Sequence, residues 1–132
     1  MNTKIERAVI VEDDPQTRRL IQVVLSSLGI KGIVEAENGA AAIEALKGSA
    51  AHLAIMDWTM DVMDGLECTR RIRAGVEGID PALPIILLTG NVGASFEAEA
   101  YAAGVDLFVE KPFSIRKLHG AITTVLAAPG RA

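Results

Sequence analysis

Short apolar segments alternate with longer segments whose apolar residues recur at helical spacing. The short segments are rich in Val, Ile and Leu, which is typical of buried strands. We predict five strands, at residues 8–11, 33–36, 53–56 (ending at Asp57), 84–88 and 106–110. We predict five helices, at residues 15–28, 39–47, 65–73, 94–103 and 114–126. Strand and helix therefore alternate along the whole chain.

The predicted strands are apolar at nearly every position instead of alternating between apolar and polar residues. This pattern indicates strands that are covered on both faces, and hence a parallel sheet with helices on each side. We therefore predict an α/β fold with a doubly wound five-stranded sheet. In such a sheet, ligands bind at the carboxyl ends of the strands.

Composition narrows the class of protein. The 132 residues suit one domain, and we expect a single unit over residues 1–132 with its core at about 7–126 and a tail at 127–132. The net charge is −4 without a basic cluster, which disfavours direct binding of nucleic acid. No apolar stretch approaches the roughly 20 residues that a membrane helix needs. With one cysteine, Cys68, a reduced cytoplasmic setting is expected.

The residues that follow the predicted strands are the most informative. Glu12 and Asp13 follow the first strand, Asp57 ends the third, Thr89 follows the fourth, and Lys111 follows the fifth. A parallel sheet would bring them to one edge. Three clustered carboxylates favour a hard cation such as Mg²⁺ between them. A carboxylate can also act as the nucleophile that forms an aspartyl-phosphate, while lysine and threonine stabilise phosphoryl oxygens.

The same residues also have a simpler interpretation, because acids after a strand often serve only as solvated loop residues or helix caps. We assign Asp14 to helix capping for this reason. Threonine after a strand and lysine before a proline are weak signals individually. Their combination at four strand ends is much harder to obtain by chance.

These motifs resemble the response-regulator receiver domains of two-component signalling, close to the chemotaxis receivers. The resemblance extends from residue 8 to about residue 126. It rests on Val9-Ile10-Val11-Glu12-Asp13-Asp14-Pro15, Ile55-Met56-Asp57 with Met60, Met63, Asp64 and Gly65, Leu87-Leu88-Thr89, and Gly104-Val105-Asp106 through Lys111-Pro112-Phe113. It implies a flavodoxin-like strand order, 2-1-3-4-5.

The resemblance also implies roles for individual residues. Asp57 is expected to be the phosphoacceptor. Mg²⁺ would be bound by Asp13, Asp57 and the backbone carbonyl of Thr59, with Glu12 as a further acid that reaches the metal directly or through water. The Lys111-Pro112 bond resembles the family's cis peptide.

A second implication is a phosphorylation switch rather than an enzyme. Thr89 and Lys111 would contact the phosphoryl group, and the aromatic Phe108 would change rotamer with Thr89. This would repack the face of the fourth helix, fifth strand and fifth helix. The expected partners are a sensor histidine kinase or histidine phosphotransfer protein and a downstream protein, and a homodimer through the same face is left open. Self-phosphorylation and autodephosphorylation with Mg²⁺ are also implied.

Two positions depart from the family pattern. Asp61 stands where proline is usual, which should loosen the loop after Asp57 and add a negative charge near the pocket. Gly90 stands where alanine is usual, which should widen access to the phosphoryl group. Trp58, beside Asp57, is predicted to lie at the rim of the pocket.

Two other functions compete with the switch. One is a receiver-like interaction module that is never phosphorylated, for which a missing acid, threonine or lysine would be the sign. The other is an enzyme such as a nucleotide-binding α/β protein or an aspartyl-phosphate phosphatase. The first strand is not followed by the glycine-rich loop that a nucleotide-binding protein would need there.

Overall fold

A computed structural model describes residues 6–127. Strands and helices alternate strictly, as predicted, and most bounds agree within one or two residues. The strands are β1 Arg7–Val11, β2 Gly32–Ala36, β3 Leu53–Asp57, β4 Ile85–Thr89 and β5 Leu107–Glu110. The helices are α1 Pro15–Ser27, α2 Gly39–Gly48, α3 Gly65–Ala74, α4 Ala94–Ala103 and α5 Ile115–Ala127. Most of the predicted tail, residues 128–132, lies outside the described residues.

The five strands form one parallel sheet in the order β2-β1-β3-β4-β5, which confirms the predicted fold class and order. β1 and β3 lie side by side, with Val11 opposite Met56. β3 and β4 are also neighbours, with Asp57 opposite Leu88. The order reverses direction between β1 and β3, so the ends of these two strands border a crevice at which ligands bind in such sheets.

Each face of the sheet carries its own apolar core. Alternate residues along β1 point to opposite faces: Ala8 and Ile10 to one, Val9 and Val11 to the other. Helices α1 and α5 cover the first face, and helices α2, α3 and α4 cover the second. The continuous apolar strand sequences are thus explained by burial on both sides.

Local signals in the sequence set several helix starts. The side chain of Asp14 accepts a hydrogen bond from the Thr17 N–H at 3.0 Å, and Pro15 follows at the first helical position. Asn38 and Asp64 cap α2 and α3 in the same way. Among residues 6–127, no helix combines the length and the apolar character that crossing a membrane requires.

Candidate functional site: an acidic cluster at the sheet edge

The carboxyl ends of β1 and β3 bring three acids together. Asp57 is the last residue of β3, and Glu12 and Asp13 follow the last residue of β1. One carboxylate oxygen from each of the three lies within 4.8 Å of the others. The parallel pairing of β1 with β3 explains this convergence, although Asp57 is more than forty positions from Glu12 and Asp13 in sequence.

Two of the three acids are shielded from solvent. Glu12 is 1% exposed and Asp57 is 7% exposed, whereas Asp13 is exposed. Negative charges held this close repel one another unless a cation lies among them. Three hard oxygen donors open to solvent on one side suit Mg²⁺, which retains several of its waters. The donor set therefore fits the ion that the sequence predicts.

Lys111 supplies a positive charge beside Glu12 and Asp57. Its Nζ lies 2.9 Å from Glu12 Oε1 and 3.3 Å from Asp57 Oδ2. Burial raises the pKa of Glu12, and the hydrogen bond from Lys111 only partly opposes that effect. Burial alone would lower the pKa of Lys111, but the hydrogen bond to Glu12 and the charge of Asp57 raise it overall. The ammonium group therefore remains charged.

Thr89 and Phe108 occupy the neighbouring strands β4 and β5. Thr89 is 1% exposed, and its Oγ1 accepts a hydrogen bond from the Asn91 N–H at 2.9 Å. Its carbonyl accepts from the Lys111 N–H at 2.7 Å, which ties the two strand ends together. Phe108 is half-buried against the core under α4, and its N–H donates to the Tyr101 hydroxyl at 3.3 Å.

The loop between β3 and α3 lies beside Asp57. The Thr59 N–H points at Asp57 Oδ1, at 3.4 Å. Gly65, at the start of α3, is required by close packing, because a Cβ there would lie 2.3 Å from the Asp57 carbonyl oxygen. Val62 has a positive φ of 68° and is 85% exposed. A β-branched residue rarely adopts this conformation, so the loop carries backbone strain.

The departures from the family pattern fall at the surface. Asp61 is exposed, and its carbonyl accepts a hydrogen bond from the Met63 N–H at 2.7 Å. Its carboxylate is not one of the three that converge among the described residues. Gly90 has open space around the position of a Cβ. The Lys111–Pro112 peptide bond is cis, in agreement with the resemblance.

Three side-chain contacts near the site were not predicted. Arg18 of α1 donates to the Glu12 carbonyl at 3.1 Å. Phe96 of α4 packs edge-on against Trp58, with ring centroids 5.8 Å apart, and Trp58 is only 8% exposed. Tyr101 of α4 reaches the backbone of Phe108. All three lie on helices, where sequence spacing does not show which strand end a long side chain will reach.

Comparison with known proteins agrees with this geometry. Residues 8–123 match the response regulator receiver domain. The chain belongs to the response regulator receiver domain family. It is 34% identical over 121 residues to the chemotaxis protein CheY1 of Helicobacter pylori, an alignment that covers 91% of this chain and 96% of CheY1. The acidic cluster is thus part of a receiver domain of two-component signalling.

Solved structures support the same family assignment. A putative response regulator from Chloroflexus aurantiacus superimposes with a TM-score of 0.85 at 25% identity, covering 95% of this chain and 100% of that one. The receiver domain of a sensor histidine kinase from Pseudomonas aeruginosa gives a TM-score of 0.80 at 27% identity, with the same coverage. That structure has a magnesium ion coordinated in its active-site cleft. The acidic cluster of this receiver fits such a site.

Proposed function

We propose that this receiver accepts a phosphoryl group on Asp57 and thereby switches its affinity for a protein partner. The observation that carries the proposal is the convergence of Glu12, Asp13 and Asp57 at one sheet edge, where Lys111 contacts Glu12 and Asp57. Phosphoryl transfer needs little covalent chemistry from a protein beyond positioning and charge neutralisation. The cluster offers both, with a nucleophile that is nearly buried.

The donor in this proposal is a phosphohistidine on a sensor histidine kinase or a histidine phosphotransfer protein. An Asp57 carboxylate oxygen forms the new P–O bond, the N–P bond of the donor breaks, and the imidazole leaves with that electron pair. Lys111, which already contacts Asp57 Oδ2, stabilises the charge on the transferred group. With a small donor such as acetyl phosphate, the O–P bond of the donor breaks instead and acetate leaves. Attack by water on the phosphorus would later release inorganic phosphate and restore the Asp57 carboxylate.

Mg²⁺ is the proposed cofactor. Glu12, Asp13, Asp57 and the carbonyl of Thr59 would hold it, Glu12 directly or through water. When bound, the ion neutralises charge on the phosphoryl oxygens and offsets the repulsion between the acids. The chain itself fixes the acids at the ends of two adjacent strands, so little reorganisation would accompany binding.

The response would pass through Thr89 and Phe108. We expect the Thr89 hydroxyl to turn from Asn91 towards the phosphoryl group and Phe108 to follow into the vacated space. Phe108 borders a groove of about 550 Å³ between α4 and α5, which also contains Glu97, Phe113 and Lys117. A change at Phe108 would therefore reshape the face of α4, β5 and α5, where a downstream protein would bind.

Several broader expectations stay with this proposal. The whole chain, residues 1–132, would act as one receiver in a cytoplasmic setting and without direct contact to nucleic acid or membrane. A homodimer through the α4-β5-α5 face is one form that the partner could take.

Intact-mass analysis after incubation with acetyl phosphate and Mg²⁺ tests the proposal. We expect a gain of one phosphoryl group in the native protein, none in Asp57→Asn, and none after chelation of the metal. The Asp57→Asn variant preserves shape and removes only the nucleophilic charge, so it is a close control.

An unmodified native protein would instead indicate a receiver-like interaction module that works without phosphorylation. A gain that persists in Asp57→Asn would place the acceptor elsewhere. Turnover of an external substrate would indicate an enzyme.

A further inference from the structure

Arg18 makes two contacts that join α1 to β2 and to the segment that follows β1. Its Nη1 donates to the carbonyl oxygen of Glu12 at 3.1 Å, and its Nε lies 3.4 Å from Glu35 Oε1. The side chain is 26% exposed, so most of it lies against the protein. Both contacts use the planar guanidinium, which offers donors in fixed directions.

Glu35 is itself fixed in place. It belongs to β2, where it lies opposite Ile10 of β1, and its second carboxylate oxygen accepts a hydrogen bond from Gln22 of α1. Gln22 of α1 therefore holds the carboxylate that orients Arg18. The guanidinium consequently has one orientation in which it satisfies both Glu35 and the Glu12 carbonyl.

The Glu12 carbonyl belongs to the peptide group that joins Glu12 to Asp13. In the preceding peptide group, which joins Val11 to Glu12, the Glu12 N–H donates to the Ala36 carbonyl at 3.2 Å. Both peptide groups flanking Glu12 are thus held, one by β2 and one by Arg18. The orientation of the second group sets the direction in which the Asp13 side chain leaves the backbone.

We propose that Arg18 is a positioning residue for the magnesium site: by holding the Glu12–Asp13 peptide group, it aims the two acids at one point. The inference rests on the proposed function of the acidic cluster. Glu12 has a second constraint in Lys111, but Asp13 is exposed. Asp13 therefore depends most on the backbone orientation that Arg18 fixes.

The charge of Arg18 does not explain its effect on the acids. Its guanidinium is paired with Glu35, so the pair carries no net charge towards the cluster. Arg19 provides a matched control, because it follows directly on the same helix, has the same charge and is exposed. Both Arg18→Gln and Arg19→Gln remove one positive charge from α1, so a difference between them cannot come from net charge alone.

The test compares Mg²⁺ affinity in native protein, Arg18→Gln, Arg19→Gln and Arg18→Lys by isothermal titration calorimetry. Loss of a side chain that orients metal ligands typically weakens metal affinity by about 10–100-fold, and we expect about tenfold in Arg18→Gln. Arg19→Gln should keep the native dissociation constant. Arg18→Lys should fall between them, because an ammonium cannot present two donors in the fork geometry.

A kinetic measurement separates positioning from general damage. The rate of Asp57 phosphorylation by acetyl phosphate is followed against Mg²⁺ concentration. We expect Arg18→Gln to need more Mg²⁺ for half the maximal rate and to approach the native rate at saturation. A lower maximal rate with unchanged Mg²⁺ dependence would overturn the inference, as would equal Mg²⁺ affinities in Arg18→Gln and Arg19→Gln.

Two further measurements keep the inference testable. If Arg18→Gln does not fold, Glu35→Gln removes the group that orients Arg18 and should weaken Mg²⁺ binding in the same direction, by less. Unchanged affinity in that variant would count against the proposal. A native protein that neither binds Mg²⁺ nor gains a phosphoryl group would refute the proposed function, whereas native binding that is unaltered in Arg18→Gln refutes only the role of Arg18.

Discussion

Helices α1 and α4 both begin at the edge of the sheet that carries the acidic cluster, but they are attached to the protein in opposite ways. Helix α1 starts at a capped turn and buries Ile21, Val24 and Leu25. Helix α4 starts at Gly93, which has no side chain with which to cap, and eight of its ten residues are exposed. Its buried residues are Ala100 and Ala103. The helix that follows Glu12 and Asp13 is therefore firmly anchored, and the helix that follows Thr89 is lightly anchored.

The remaining attachments of α4 are small side-chain contacts. Phe96 packs against Trp58, the Tyr101 hydroxyl accepts from the Phe108 N–H, and Glu99 lies 3.8 Å from Arg70 at an exposed position. Contacts of these kinds each contribute about 1.5 kcal/mol or less. A modification at Asp57 could therefore shift α4 at modest cost while α1 stays in place.

Truncation of buried side chains in the two helices should give the largest difference. Leu25→Ala removes a fully buried side chain from α1, and we expect a loss of about 2–5 kcal/mol in the free energy of unfolding. Ala100→Gly in α4 should cost only about 1–2 kcal/mol, because one methyl group and some helix propensity are lost. Urea denaturation followed by circular dichroism measures both.

Ala102→Gly, at an exposed position of α4, separates helix propensity from burial and should cost about 1 kcal/mol. Equal losses in Leu25→Ala and Ala100→Gly would show that the two helices are anchored alike. Amide hydrogen exchange offers a second reading, in which the backbone of α4 should exchange faster than that of α1.

A substitution in the loop between β3 and α3 should instead stabilise the protein. Val62 has a positive φ, and asparagine tolerates that conformation far better than a β-branched residue. We expect Val62→Asn to raise the free energy of unfolding by about 1 kcal/mol. Val92, an exposed valine in the loop before α4, is the control: Val92→Asn should produce no gain. Equal gains would mean that loss of an exposed apolar surface, and not relief of strain, stabilises the protein.

The sequence allowed most of the fold to be predicted, because its signals are local. Asp14-Pro15 and Gly104 mark helix ends, and continuous apolar segments mark buried strands. The bounds of α4 were predicted without error, although the helix buries little, because alanines and the terminal glycine define it. β4 extends one residue further than predicted, since Thr89 pairs with Glu110 although it is polar. A strand predicted from apolar residues alone necessarily ends at Leu88.

The grouping of the site residues was also predictable, because parallel strands carry their following residues to one edge. The contacts of Arg18 and Phe96 were not. Their positions depend on how each helix is rotated against the sheet, which follows from packing of the whole core. Val62 illustrates a third case: its residue type favours extended backbone, and the turn into the capped start of α3 overrides that preference.

Loss of the contact between Trp58 and Phe96 gives the smallest expected effect, and it can be followed directly by fluorescence. Trp58 is the only tryptophan of the chain, so all tryptophan emission comes from this side chain. Phe96→Ala should cost about 0.5–1.5 kcal/mol and shift the emission to longer wavelength, because the indole becomes more exposed. Tyr101→Phe, on the same helix, removes only a hydroxyl group and should leave the emission unchanged.

In the native protein, Mg²⁺ or a phosphate mimic should alter the emission, since Trp58 follows Asp57 directly. If Phe96→Ala leaves both the emission and this response unaltered, α4 is not held through Trp58, and its light anchoring rests on Ala100, Ala103 and Tyr101.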